Sequence, residues 1–412
     1  MMGSNAEVRK PAATVQLYIF AGLAFSLPWF SFAVPRAAAT LVPLFAVLSL
    51  GVVFWQGQWS RLLRSNVWMG VLAVLVLGTV SLLWSLDAEL STERLTKLVL
   101  FLPVGTALVL IAANWSPGER EVRTVDGALL AGVSFGALLL AWHLATETGL
   151  FGLLRPDLDP VELLNGANRP SVILLLCLSA AVLAMKRTVW PLLAWVYVAL
   201  LMLLFSQATS QTAAFGLVIW LAAYAVAWAA PAIARSLLVW GGAALILAMP
   251  GLVLLVEHFD TERSFDYAAG SAGARLDLWY AVSHKVLDAP LYGYGLEGAR
   301  SITDWAVEFV YFNGSSVPHP HNGVLQIWLE LGLIGALLAA LIWVLVTRKV
   351  RSFRSADQPA LIAGLGAFLF VLSVSHGLWQ SWWLNAAFGV AALTLLFARR
   401  APAERPEAGR AG

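Results

Sequence analysis

The sequence predicts an all-α polytopic membrane protein, and two observations lead to that class. Of the 412 residues, 60% are apolar and only 12% are charged, which excludes an ordinary soluble domain. Apolar runs of about 17–25 residues recur along the whole chain, and each is long enough to cross a hydrocarbon core about 30 Å thick. Because the backbone must satisfy its own hydrogen bonds in lipid, these runs are expected to be helices.

We expect about twelve transmembrane helices and one connection far longer than the others. The predicted regions are residues 1–256 with helices one to nine, 257–322 as a large outside loop containing short helices, 323–398 with the last three helices, and 399–412 as a cytoplasmic tail. The first helix is expected to be retained, because no convincing small-residue cleavage site follows it. The predicted spans are residues 17–34, 37–55, 66–84, 98–113, 127–146, 170–185, 189–205, 212–230, 236–256, 323–346, 359–376 and 381–398.

The distribution of basic residues predicts the orientation. With the N-terminus in the cytoplasm, 17 of the 26 Lys and Arg residues fall in inside segments, so both termini are expected to be cytoplasmic. The single cysteine, Cys177, lies within an apolar run, which excludes an intrachain disulfide and a cysteine-based metal site. Aromatic belts at the two interfaces are expected to account for most of the 19 Trp residues.

Two outside segments are expected to begin or contain helices. Residues 86–97 are interpreted as a helix entry with Ser91 or Thr92 as its N-cap. Residues 275–287 have helical spacing that ends at Asp288-Ala289-Pro290, and we expect a helix lying at the membrane surface. One stripe of that helix is predicted to contain Leu276, Trp279, Tyr280, Ser283 and Leu287.

Several arginines oppose the charge rule because they fall near predicted outer ends of helices. The planar guanidinium group is the side chain best suited to bidentate contact with phosphate. An interfacial anchor is the alternative role for each one taken singly. Together, near a neutral histidine, they would suit a phosphorylated lipid. They are Arg94, Arg169, Arg275 and Arg300.

The stretch 318–335 carries polar residues from the long loop into an apolar helix. If that helix begins near Asn322, its partly positive N-terminus disfavours a charged His321, which would then be available as a base. A merely solvated histidine is the alternative. Gly332 and Gly335 return to the face of His321 and would allow another helix to approach. Glu330 points to the other side, where a buried hydrogen bond or ion pair is more plausible than catalysis.

No metal or cofactor is expected. His319 and His321 form a His-x-His pair, but zinc needs three or four ligands, and only His258, His284 or loop acids could complete the set. The sequence also lacks a P-loop or another convincing nucleotide cradle, so ATP is not expected as an energy source.

The motifs resemble those of one known family. His321-Asn322 is followed after nine residues by Gly332-Leu333-Ile334-Gly335. Supporting pieces are Arg275 with Trp279, residues 290–295, and Trp84-Ser85-Leu86-Asp87 leading to Ser91. Over about residues 80–340 this pattern resembles the O-antigen ligase family, which also includes O-antigen polymerases and O-oligosaccharyltransferases. Many members carry Ser-Arg where this chain has Ser210-Gln211, so the phosphate-binding arginine of that position is absent. Arg169 or Arg94 would bind the phosphate in its place.

The resemblance implies a GT-C-like glycosyltransferase that needs neither metal, cofactor nor ATP. Its donor would be undecaprenyl-pyrophosphate-linked O-antigen and its acceptor the lipid A-core, joined on the periplasmic face of the bacterial inner membrane among membrane lipids, with no nucleic-acid partner. The implied site comprises His321 as general base, Arg275 and Arg169 on the pyrophosphate, Arg94 and Arg300 as lesser phosphate candidates, and Asn322, His319 and Trp279 as supporting residues.

Within the family, a ligase is favoured because only residues 401–412 follow the last predicted span, whereas O-oligosaccharyltransferases tend to carry a substantial C-terminal region. O-antigen polymerases are as short and remain the alternative within the family. A transporter or flippase is a more distant alternative, and it predicts charged residues within several spans; Glu330 is the main example in this chain.

Overall fold

The computed structural model describes residues 4–188, 191–259, 271–305, 309, 312 and 317–398. These residues form helices joined by turns, with no β-strand among them, which confirms the all-α class. The helices are α1 (Ser4–Ser26), α2 (Ala38–Trp55), α3 (Trp59–Leu63), α4 (Val67–Val80), α5 (Ala88–Asn114), α6 (Glu119–Thr146), α7 (Gly149–Leu154), α8 (Pro160–Leu164), α9 (Asn168–Thr188), α10 (Pro191–Gln207), α11 (Gln211–Ala229), α12 (Pro231–Ser236), α13 (Gly242–Phe259), α14 (Ser271–Asp288), α15 (Gly323–Thr347), α16 (Gln358–Val374) and α17 (Ser381–Phe397).

Seven of the described helical segments are long and apolar enough to cross a membrane. They are Ala38–Trp55, Ala88–Asn114, Glu119–Thr146, Pro160–Arg187, Gln211–Ala229, Pro231–Phe259 and Gly323–Ser352. Shorter apolar helices occupy the positions of the other predicted spans: Pro11–Ser26, Val67–Leu83, Leu192–Gln207, Gln358–Val374 and Ser381–Phe397. The chain is therefore a polytopic membrane protein, while the count of twelve crossings stays a prediction.

The centre of the bundle is α9, which is enclosed by α6, α10, α11, α16 and α17. Every residue from 172 to 184 is at most 3% exposed. The outer helices instead expose large apolar side chains, such as Met69, Trp228 and Phe259, each more than two-thirds exposed. Such an apolar exterior is suited to lipid rather than water.

Two helices begin earlier than the sequence suggested. Helix α1 covers Ser4–Ser26 rather than 17–34, and the chain turns ahead of Pro28, consistent with the restriction that proline places on the preceding residue. Helix α5 begins at Ala88 because the Asp87 carboxylate accepts hydrogen bonds from the amides of Glu89 and Leu90, both at 3.0 Å. The predicted cap at Ser91 or Thr92 is wrong, since both residues lie inside this helix.

The predicted helix before Pro290 is confirmed as α14, which ends at Asp288 as expected. It packs against α13 and α15 and buries Leu278, Tyr280 and Ser283, while its predicted position at the membrane surface stays a prediction. The predicted stripe fails at Leu287, which is 58% exposed. The helix is thus part of the bundle, and its packing fixes the positions of Arg275 and Trp279.

Helix α15 is broken at Gly332, whose φ of 60° and ψ of −156° are not helical. The turn at residues 290–295 supplies the hydrogen bonds there: the Tyr294 amide donates to the Leu329 carbonyl at 2.9 Å, and the Leu333 amide donates to the Pro290 carbonyl at 2.8 Å. A Cβ on Gly332 would lie 2.4 Å from the Leu291 carbonyl carbon. The predicted close approach of a second helix is therefore wrong, because a turn approaches instead.

The same turn also binds the Trp84–Ser91 segment. The Ser91 hydroxyl donates to the Leu296 carbonyl at 2.5 Å, and the Trp84 indole donates to the Tyr292 carbonyl at 3.1 Å. Hydrogen bonds thus join three segments that lie far apart in sequence, at residues 84–91, 290–296 and 321–335.

Candidate active site at the start of α15

The backbone and its neighbours fix His321 in one orientation. Its φ is +52°, a left-handed conformation that is uncommon for a residue other than glycine. Asn322 follows as the N-cap of α15, accepting hydrogen bonds from the amides of Val324 and Leu325 at 3.0 Å. The Nδ1 atom of His321 lies 2.8 Å from the carbonyl oxygen of Ser375. Because a carbonyl only accepts, Nδ1 carries the hydrogen and Nε2 keeps a free lone pair.

The environment favours neutral His321. Burial lowers its pKa below the ordinary value; the hydrogen bond to Ser375 opposes this shift, and the charge of Arg275 adds to it. The net direction is downward, so the imidazole is neutral at pH 7 and able to accept a proton. This agrees with the state expected from its place at a helix N-terminus.

The ring of His319 lies 4.3 Å from that of His321. Burial lowers the pKa of His319 to about 3, and the neighbouring charges of His321, Arg300, Arg169 and Arg94 add to that shift in this order. Its Nε2 lies 3.2 Å from the Gln380 amide nitrogen, which donates to it. His319 is therefore neutral and has a polar partner of its own.

A third histidine, His376, belongs to the cluster and was missed by the sequence reasoning. Its Nε2 lies 3.1 Å from the Ser375 hydroxyl, which also accepts from Thr212 at 3.3 Å. Its ring meets Trp382 edge-on at 4.6 Å. The residue falls at the end of a predicted span, where the pattern offers no signal beyond an interfacial histidine.

The loop at residues 375–380 joins the cluster to α15 and was also missed. The Leu378 amide donates to the Gln326 side chain at 2.7 Å, and the Trp379 indole donates to the Glu330 carboxyl at 2.6 Å. Gln326 donates in turn to Glu330 at 2.8 Å. Glu330 is fully buried, so the expected structural hydrogen bond at this residue is confirmed. The only signal in the sequence was a short polar interval between two apolar runs.

Helix α14 presents Arg275 and Trp279 to the cluster, one turn apart on one face. The Trp279 indole donates to the Pro320 carbonyl at 3.0 Å, which anchors the histidine loop on this helix. The charge of Arg275 acts on both His321 and His376. No charged group forms an ion pair with Arg275 among the residues that the structure describes.

Arg169 lies in the first turn of α9, and its guanidinium carbon is 5.7 Å from the centre of the Trp382 ring. The quadrupole of the indole ring attracts a cation over its face, which helps to position the guanidinium group. Its charge acts on His319 and His376, and within the described chain it has no ion pair. Arg169 thus contributes its charge to the same cluster as Arg94.

Arg94 and Arg300 share one carboxylate, Glu297, which the sequence reasoning missed. The Arg94 Nε atom lies 2.5 Å from Glu297 Oε1, and the Arg300 Nε atom lies 2.6 Å from Oε2. Arg94 also donates to the Trp379 carbonyl at 2.6 Å. The four predicted arginines therefore surround the histidines, but within the described ranges only Arg94 and Arg300 are paired with an acid.

The two further histidines considered for a metal, His258 and His284, have other neighbours. His284 pairs with Glu257 at 2.8 Å, and His258 packs against Phe259. Across the described ranges, no group of three or more His, Cys, Asp or Glu side chains is arranged to hold a metal ion.

A cavity of about 1020 Å³ lies at the end of the bundle away from the histidine cluster. Its lining includes Asn114, at the end of α5, whereas Arg94 near the start of α5 belongs to the histidine site. Twenty residues of helix separate them, or about 30 Å. The ion pair of Asp126 with Arg187 lines this cavity. No histidine is among the described residues that line it, so its size does not make it the candidate active site.

Comparison with known proteins gives the family of the stretch that contains the cluster. The model of the O-antigen ligase family matches residues 172–340. This stretch is similar to O-antigen ligases over about two-fifths of the chain. The matched stretch contains His319, His321, Arg275 and Arg300, and it confirms the family resemblance inferred from the motifs.

The chain also resembles curated proteins of Rickettsia. Over 158 residues it is 28% identical to the Rickettsia conorii protein named "Putative polysaccharide ligase", covering 37% of this chain and 38% of the relative. A Rickettsia felis protein with the same name is 28% identical over 158 residues, covering 37% and 39%. A Rickettsia bellii protein, named likewise, is 30% identical over 138 residues, covering 31% and 33%. The similarity thus spans well under half the length of these relatives.

Proposed function

We propose that this protein is an O-antigen ligase that transfers glycan from undecaprenyl pyrophosphate to the lipid A-core oligosaccharide. The observation that carries the proposal is the setting of His321, within the stretch that matches the O-antigen ligase family. Its Nδ1 faces a carbonyl oxygen, and no described residue is hydrogen-bonded to its Nε2. Arginines surround it, as a reaction that releases a pyrophosphate requires.

In the proposed reaction, His321 Nε2 takes the proton of the acceptor hydroxyl. The acceptor oxygen forms a bond to the anomeric carbon of the donor glycan. The bond between that carbon and the pyrophosphate oxygen breaks, and undecaprenyl pyrophosphate leaves with the electron pair. Atoms and charge balance without metal, cofactor or ATP, because the donor brings its own leaving group.

Negative charge grows on the pyrophosphate as the glycosidic bond breaks. Arg275 and Arg169 are the residues that we assign to it, since neither has an ion pair to another described residue. Preformed cationic donors aimed at developing charge stabilise a transition state more than a ground state. Trp279 and Asn322 support the site, by holding the histidine loop on α14 and by capping α15.

We place the reaction on the periplasmic face of the bacterial inner membrane, with both termini cytoplasmic. The inside segments carry 17 of the 26 basic residues, and the loops of the histidine cluster fall on the opposite side by that assignment. In this orientation the large cavity with Arg187 faces the cytoplasm.

The decisive experiment uses purified protein with undecaprenyl-pyrophosphate-linked glycan and lipid A-core. We expect the wild type to form glycosylated lipid A-core in EDTA, and His321→Ala to form none. His258→Ala is the matched control, because His258 is exposed and lies outside the cluster. Wild-type amounts of product from His321→Ala would refute the base assignment.

A deletion strain separates a ligase from an O-antigen polymerase. Loss of a ligase leaves lipid-linked polymer to accumulate while lipid A-core carries none. Loss of a polymerase instead removes the polymer itself. We expect the first pattern on a lipopolysaccharide ladder.

A further inference from the structure

Glu297 divides the arginines around the histidine cluster into two kinds. Each of its carboxylate oxygens faces one guanidinium, at 2.5 Å from Arg94 and 2.6 Å from Arg300. The Glu297 side chain is only 7% exposed, so water screens these contacts little. The three groups together carry one positive charge, whereas Arg169 and Arg275 keep their full charges.

A small polar cavity adjoins this triad. Its lining includes Arg94, Glu297, Arg300, His319 and Gln380. Its volume is about 10 Å³, room for roughly one water molecule or one hydroxyl group. A phosphate group has a central atom and four oxygens, and does not fit there.

The chemistry of the lining suits a hydroxyl group in particular. A hydroxyl both donates and accepts, and this cavity offers a carboxylate that accepts beside guanidinium groups that donate. A carboxylate at this place repels a phosphate, which only accepts at neutral pH. The Gln380 carbonyl already accepts from the Trp382 indole at 2.8 Å, so the amide is held in place.

The cavity lies next to the proposed base. His319 lines it, and the ring of His319 is 4.3 Å from the ring of His321. A saccharide that places one hydroxyl in the cavity can therefore present a neighbouring hydroxyl to His321. The arginines without a carboxylate partner remain available to the pyrophosphate.

We propose that the Glu297 cavity is a binding site for a hydroxyl group of the acceptor saccharide, and that Glu297, Arg94 and Arg300 select the acceptor rather than hold the donor pyrophosphate. This inference rests on the proposed function. It assigns Arg94 and Arg300 a role different from that of Arg169 and Arg275.

The test compares Glu297→Gln with wild type in the transfer assay, with KM measured separately for lipid-linked glycan and for lipid A-core. Glu93→Gln is the matched control, because Glu93 is an exposed neighbour of Arg94 that pairs with Lys97 instead. Loss of a hydrogen bond to a charged group predicts an acceptor KM raised about 10- to 100-fold. The donor KM and the inhibition by undecaprenyl phosphate should stay at wild-type values.

Arg300→Gln is the second variant, since Arg300 is 43% exposed and its replacement should leave folding intact if Glu297→Gln does not fold. It is expected to raise the acceptor KM in the same way. A raised donor KM, or weaker inhibition by undecaprenyl phosphate, overturns the inference. So does a fall in kcat with both KM values unchanged. Absence of product from wild-type protein would instead refute the proposed function itself.

Discussion

The Nδ1 atom of His321 lies 2.8 Å from the carbonyl oxygen of Ser375, a residue 54 positions further along the chain. The partner is a backbone atom, so no side-chain substitution at Ser375 can remove it. It also lies outside the matched family stretch, in the loop after α16. The tautomer of the proposed base therefore depends on where the loop at residues 375–380 is held.

The pH dependence of transfer follows from the state of His321. Only the neutral ring accepts a proton, and burial lowers its pKa, with Arg275 adding to the shift. The other charged groups facing the cluster are Arg169, Arg94, Arg300 and Glu297. The carboxylate of Glu297 is paired with Arg94 and Arg300, so it does not favour a charged His321. We expect kcat/KM to be constant through neutral pH and to fall only as the pH drops below that lowered pKa.

The measurement is a kcat/KM profile from pH 4.5 to 9. His258→Ala should give the wild-type profile, because His258 lies outside the cluster. An acid limb with its midpoint above the ordinary histidine value of about 6.5 would contradict a buried neutral base.

Arg275→Lys tests the planar contact with pyrophosphate. Lysine keeps the charge but loses the forked donors, and removal of one preorganised donor typically costs about 100- to 1000-fold in rate. We expect a loss near the lower end of this range for Arg275→Lys and for Arg169→Lys. Arg155→Lys is the control, since Arg155 is exposed on the linker after α7. Equal activity in all three variants would show that positive charge alone is sufficient.

The local structure that the sequence predicted correctly around the candidate site has a short-range signal. His321 and Asn322 form a loop-to-helix junction, and Arg275 and Trp279 share one helical face, so short-range spacing was enough to find them. Short-range spacing could not show that the two pairs lie close together in the fold. The family resemblance implied that they belong to one site. The structure brings both pairs together through the hydrogen bond from Trp279 to Pro320.

The residues that the sequence reasoning missed depend on contacts between distant segments. Trp379 accepts from Arg94 across 285 positions, and Glu297 pairs with the same arginine. A helical wheel on α15 assumed continuous helix, whereas the turn at residues 290–295 replaces its hydrogen bonds at Gly332. The break at Gly332 could not be predicted from the residue spacing within α15, because the hydrogen bonds at the break come from another part of the chain.

Gly332→Ala is expected to destabilise the protein. Its backbone lies in a region open essentially only to glycine, and forcing another residue into such a conformation costs about 1–3 kcal/mol. The added Cβ would also lie 2.4 Å from backbone atoms of Leu291, which cannot turn aside as a side chain can. Thermal unfolding in detergent measures the effect.

Gly251→Ala is the control for that substitution. Gly251 lies in α13, and a methyl group added to its Cα would meet no atom within 4 Å. Alanine there should therefore be neutral or stabilising by up to about 1 kcal/mol. A Gly332→Ala melting temperature equal to that of Gly251→Ala would contradict the strained break in α15.

Glu330→Gln tests whether the buried carboxyl holds the 375–380 loop. Both carboxyl oxygens accept, one from Gln326 at 2.8 Å and one from Trp379 at 2.6 Å. An amide offers one oxygen and one NH₂ group, so one buried donor loses its acceptor at a cost of about 1–3 kcal/mol. Because Trp379 belongs to the loop that orients His321, kcat should fall as well.

A double-mutant cycle with Trp379→Phe identifies the contact responsible. If the indole bond is the one that matters, the two substitutions together cost less than their sum, by at least about 0.5 kcal/mol in stability. Glu257→Gln is the control, because Glu257 is partly exposed and pairs with His284 away from the loop. Strict additivity would mean that Glu330 acts through Gln326 alone, and the loop would then be positioned by its contacts with Gln326 and Arg94.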